Sequence, residues 1–120
     1  MFQEMMPMSQ PSGGGSVDPT LVDSAFANPS AVTVTLTEDI NNAMVIITYS
    51  GASASYYPGT EAALDAKVTL PATADKTIFF KGGHMAQKIY YYKQLKSGDA
   101  ITASPYNGTY GYEYIELIKL

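Results

Sequence analysis

Residues 31–49, AVTVTLTEDINNAMVIITY, constrain the fold more than any other stretch of this chain. Val32, Val34 and Leu36 alternate with Thr33, Thr35 and Thr37, so a strand here has one apolar side and one hydroxylated side. Glu38, Asp39, Ile40, Asn41 and Asn42 follow with turn chemistry, since Asp and Asn bond their own main chain and tolerate left-handed backbone. Residues 43–49 then run apolar on both faces, the pattern of a strand central in a sheet. The expectation is an opening β-hairpin to which further short strands are added.

The remaining patterns are short and local. Residues 67–70, 76–81, 87–95, 100–104 and 112–120 each read as a strand, and residues 60–66 as one or two helical turns. Gly82-Gly83 and the run Lys96, Ser97, Gly98, Asp99 punctuate them, and Asn107-Gly108 is a type I′ hairpin signal. The expected fold is all-β, a small β-sandwich or jelly roll of about seven strands; an immunoglobulin-like topology would read the same way.

The first thirty residues differ from the rest. Met1, Phe2, Met5, Met6 and Met8 form an adaptable apolar cluster, and residues 11–16, PSGGGS, form a flexible linker. Asp18 suits a helix cap and Pro19 the first helical position; Leu21, Val22, Ala25 and Phe26 share one helical face before Asn28-Pro29 ends it. Three segments result: an anchoring tail and linker over 1–16, a short helical adaptor over 17–29, and a β-sandwich domain over 30–120.

Composition excludes several roles. With 46% hydrophobic but 15% charged residues, Ser, Thr, Asn, Gln and Tyr must cover much of the surface. The net charge of −4 and the lack of any Lys/Arg run argue against nucleic acid, which needs a basic patch to release counterions. Zero cysteines exclude disulfides and thiolate chemistry. No window reaches the ~18 apolar residues of a membrane span. The N-terminus lacks the basic-then-apolar layout of a secretory signal, so synthesis in a cytoplasm is expected.

Catalytic chemistry finds little to work with. His84 is the single histidine, too few ligands for a zinc site without cysteine. Glu113 and Glu116 lie among tyrosines, yet three residues apart on a strand they face opposite sides, unlike the paired carboxylates of glycoside hydrolysis. The acidic turn at residues 38–42 lacks EF-hand spacing. The expectation is a non-enzyme that uses no cofactor. The tyrosines are the most suggestive feature: Tyr56, Tyr57, Tyr106 and Tyr110 fall in expected loops, where rigid amphipathic rings build contact surfaces for sugars or proteins.

The opening MFQEMMPMSQPSGGGS, the segment DPTLVDSAFANP and a Cys-free β domain rich in Thr, Ser and Tyr together resemble a bacteriophage virion structural protein of the head-fibre or capsid-decoration type. The resemblance is one of layout. It implies that Met1, Phe2, Met5, Met6 and Met8 grip a capsid or other virion protein, that the β domain projects as a trimer, and that the chain resides in the virion. The lack of a coiled-coil or repeat shaft favours decoration or a short head fibre over a long tail fibre. The competing expectation is a carbohydrate-binding or adhesion module that holds a host surface glycan through the four loop tyrosines.

Overall fold

Strand β3 (Ile40–Ser50) sits in the middle of a five-stranded antiparallel sheet, as its doubly apolar sequence predicts. The structure, a computed structural model, describes residues 18–120. Around β3 lie β1 (Thr20–Ala27), β6 (Met85–Leu95), β5 (Lys76–Gly82) and β8 (Tyr112–Lys119), in the order β1-β8-β3-β6-β5. A second antiparallel sheet has the order β2-β7-β4, from Val32–Thr35, Ala100–Ala103 and Val68–Thr69. One helix, α1 (Glu61–Asp65), is capped by Thr60, whose hydroxyl accepts from the Ala63 N–H. No helix among the described residues is long and apolar enough to cross a membrane.

The pairing is nested. β1 pairs with β8, β2 with β7 and β3 with β6. Wrapping then brings β8 onto the free edge of β3 and β7 onto β4. A single buried cluster joins the sheets: Val34 and Ile101 from the smaller one meet Val45, Ile47, Ile115 and Leu117 from the larger. The fold is therefore mostly β and sandwich-like.

Four expectations are corrected. Residues 31–49 are not a hairpin, because β2 and β3 belong to different sheets. Segment 36–39 joins the turn at 96–99 instead: the Leu36 N–H donates to the Asp99 carbonyl, and Asp39 Oδ1 accepts from the Ser97 N–H. The expected adaptor helix over 17–29 is strand β1. A helix this short is marginal alone, and the open edge of β8 satisfies its backbone as a strand, with Val22 taken up in a bulge.

Asn107-Gly108 makes no tight hairpin, since the chain crosses from one sheet to the other there; Asn107 Oδ1 instead accepts from the N–H groups of Thr109 and Tyr110. The type I′ geometry occurs at Gly83-His84, with φ of 61° and 65°, between the paired ends Gly82 and Met85. Finally, the described residues hold eight strands, not seven. The expected anchor at Met1, Phe2, Met5, Met6 and Met8 lies outside the described residues.

Asn42 marks a local twist. Its φ of 56° is a left-handed value that Asn tolerates. Inward and outward positions on β3 and β6 switch parity together there, and so Ile40 and Leu95 remain buried although their strands have turned. The Leu120 N–H donates to the Asn42 carbonyl, tying the chain end to this point.

Ile47 is fully buried where the sheets meet. Ile47→Ala should cost about 2–5 kcal/mol, read as a lower urea midpoint with an unchanged denaturant slope.

Candidate functional site

Three places gather chemistry beyond the core. At one end of the larger sheet, loops 51–59 and 104–111 pack together. Gly111, at φ 92°, lies so close to the Tyr56 and Ser50 carbonyls that a Cβ would come within 2.9 and 3.0 Å of them. The ring of Tyr56 stands 5.1 Å from that of Tyr110, which is 57% exposed. The four expected contact tyrosines therefore separate. Tyr56 and Tyr110 come together at the surface, whereas Tyr57 is buried in the core and Tyr106 packs against it. His84 lies at the same end, its carbonyl accepting from the Gly51 N–H and the Ser50 hydroxyl. It acts there as a turn residue.

Beside α1 lies a cleft of about 390 Å³ lined by Val68, Leu70, Thr73, Ala74 and Thr77, with Lys88, Asp65 and Tyr90 at one wall. Lys88 is buried; its Nζ donates to Asp65 at 2.8 Å and bridges to Glu61 at 2.9 Å, while the Tyr90 hydroxyl donates to Asp65 Oδ1 at 2.9 Å. Burial pulls the Lys88 pKa down, but the hydrogen bonds and charges of Asp65 and Glu61 outweigh it and hold the ammonium above its ordinary value. A lysine locked as a paired cation is no nucleophile or base. The cluster ties α1 to β6. Its signal in the sequence is the i,i+4 spacing of Glu61 and Asp65 on a short helix.

Among the described residues Glu113 is the buried acidic group, on β8, 1% exposed and facing the core. Glu116 points outward, as the strand period requires, so the two carboxylates never meet. Glu113 Oε2 has no hydrogen-bond partner among the described residues. Burial pushes this carboxyl above the usual range, against hydrogen bonds from its own backbone N–H and that of Ser30. The segment 38–42 read as an acidic turn ends in strand β3, where its polar side chains are taken up by hydrogen bonds: Asn41 Oδ1 accepts from Gln94 and Asn42 Oδ1 from the Tyr91 hydroxyl. Among the described residues no three His, Asp or Glu side chains gather to hold a metal ion.

The third place is the outward face of the five-stranded sheet. Ile78, Ile89 and Ile46 form one cross-strand row, and Phe80, Gln87, Thr48, Tyr114 and Phe26 another. Phe26 packs against Tyr112 at 5.3 Å and Tyr114 at 6.3 Å. The outward face of the smaller sheet is the opposite in character, with Thr33, Thr102 and Thr69 side by side and a 2.8 Å hydroxyl pair between the first two. Comparison with protein-family models, curated proteins and solved structures finds no match.

A carboxyl whose folded pKa is raised adds stability that is complete below its unfolded value of ~4.3 and lost as pH rises through the folded value. Glu113→Gln should therefore gain stability over the parent chain between pH 4 and pH 8. Urea titrations across that range check this, and parallel curves for the two proteins would contradict it.

Proposed function

We propose that this chain is a non-enzymatic bacteriophage virion structural protein of the head-fibre or capsid-decoration type, a jelly-roll domain held to the particle by its N-terminal peptide. The observation that carries the reading is the nested pairing of β1 with β8, β2 with β7 and β3 with β6. One long hairpin wrapped into two facing sheets is the jelly-roll plan, which viral capsid and lectin domains share. The step from plan to role is fold analogy. One departure stands out: β5 turns back on β6 through Gly83-His84 instead of pairing with the two-residue β4.

The arrangement of the ends adds support. The described chain enters beside Lys119, the partner of Thr20, whereas the Tyr56 and Tyr110 loops adjoin Ser50 and Tyr112. Seven residues of β8 separate these ends, roughly 23 Å at ~3.3 Å per residue. A peptide gripping a capsid or other virion protein at the entry end would leave the loops pointing away. The assembly in this reading is a homo-oligomer, a trimer, resident in the virion after synthesis in the host cytoplasm.

Deleting residues 1–16 should abolish co-sedimentation with the phage particle while leaving the circular dichroism and thermal midpoint of the β domain unchanged. Full-strength binding by the truncated chain would refute the anchor.

The exposed Tyr110 ring beside Tyr56 favours a second reading, a carbohydrate-binding or adhesion module for a host surface glycan. Tyr110→Ala should then weaken glycan binding at least about tenfold, ~1.4 kcal/mol. Its stability should shift by no more than ~0.5 kcal/mol. Equal losses in both measurements would make the ring structural.

A further inference from the structure

We infer that the outward face of the five-stranded sheet is an interface for a second copy of this chain. Four large apolar side chains point from its two edge strands toward solvent: Leu21 at 55% and Phe26 at 57% exposure on β1, Ile78 at 66% and Phe80 at 55% on β5. Each shares the face of its cross-strand partner, respectively Ile118, Tyr114, Ile89 and Gln87. Between the edges, Met44 and Ile46 of β3 and Ile89 of β6 are only half-buried, so apolar side chains reach across the sheet, with Thr48, Gln87 and Glu116 set among them. A sheet apolar on both faces needs a layer on both. The smaller sheet covers one; nothing in the described chain covers the other.

Size and shape select the occupant. Five strands at ~4.8 Å spacing and an eight-residue register at ~3.3 Å give a footprint of roughly 600 Å², close to the ~800 Å² per partner of a standard interface. The apolar stretch Met1 to Met8 is too small. Fully extended, eight residues reach at most ~28 Å and lay down one strip, covering less than half of the face. A second copy brings a surface of equal area and equal twist, and two sheets of like twist pack face to face at about −30°.

Charge permits the contact as well. Lys76 and Glu116, on opposite halves of the face, are of opposite sign, so bringing copies together here adds no net charge from this pair. The threonine row on the smaller sheet shows what a water-facing surface of this same chain looks like; on the larger sheet the polar pair Gln87 and Thr48 is flanked by Phe80 and Tyr114. Face-to-face packing of this one surface closes at two copies, so the inference gives a dimer where the proposed reading has a trimer and stands apart from it; the particle-binding test of the N-terminal peptide is separate from both.

The experiment is sedimentation velocity on the full chain and on Ile78→Lys and Phe80→Lys, at about 10 μM, above the weakest affinities expected of an interface of standard size. Both positions are more than half exposed, so each variant should fold, with far-UV circular dichroism as the control. The parent chain is expected to sediment as an oligomer and each variant as a monomer, with a rise in binding of a dye that reports exposed apolar surface. Dissociation of a two-copy parent by either variant upholds the interface, and a three-copy parent overturns the face-to-face contact. A monomeric parent overturns it. An oligomer that survives both substitutions overturns it too. A monomeric parent that binds dye only after residues 1–16 are removed would overturn it in favour of the chain's own N-terminal segment, and a monomer that binds dye in either form would reserve the face for a different protein.

Discussion

Hydrogen bonding along both edges of β3 is the interaction on which the rest of the molecule depends. β6 and β8 flank it along its length, and its inward row of Ala43, Val45, Ile47 and Tyr49 forms the floor on which the smaller sheet rests. Both partners are distant in sequence, so β3 becomes central only after two long loops have closed. That loop-closure cost is met before the contacts repay it, which makes this a topology of slow, cooperative folding. β2, β7 and β4 contribute ten residues in strands, too few for a sheet that could stand without the larger one.

The distinction between local and distant explains what was legible in the sequence. Strand existence was legible because it is written in nearest neighbours: period two at 32–37 and apolar continuity at 43–49, although β3 also takes in Ile40, Asn41 and Asn42, which read as a turn. Strand partnership was not. β2 and β3 are adjacent in sequence and joined by good turn residues, yet Leu36 and Asp39 bond to the loop at 96–99, a contact that no local pattern encodes. β1 failed for a related reason. Leu21, Val22, Ala25 and Phe26 satisfy a helical stripe, while Leu21, Ser24 and Phe26 satisfy a bulged strand equally well, and the waiting edge of β8 decided between them. Asn107-Gly108 and Gly83-His84 show the limit of turn chemistry, since the stronger signal lies where the chain changes sheets and the weaker one where it reverses.

Site legibility follows the same line. Tyr56 and Tyr110 could be placed in loops from their neighbours, but only the crossing of segment 104–111 over Gly51 and Tyr56 brings their rings together. Tyr57, one residue on, turns into the core. The alternation over residues 87–95 puts Lys88 on one side of β6 without saying which side is buried; that side is, and α1 arrives over it with Glu61 and Asp65 and makes the burial tolerable. Glu113 has no such escort. Among the described residues the larger sheet thus buries one fully paired charged residue, Lys88, and one, Glu113, with an oxygen left unpaired, on β8 opposite Ala27, where the edge strand β1 ends.

The two faces and two ends of the larger sheet together define how copies of this chain could act. Association through the outward face leaves the entry end of β1 and the Tyr56 and Tyr110 loops uncovered, because both lie at the strand ends and not on the face. Copies joined in this way carry several N-terminal peptides and several loop clusters on one rigid body. Binding of one peptide then raises the effective concentration of the next by a factor that contact area alone does not supply. If residues 1–16 anchor the chain as proposed, one such short peptide binds weakly and several on one assembly bind together far more strongly. In the proposed reading, association through the apolar face would let so small an anchor hold the domain.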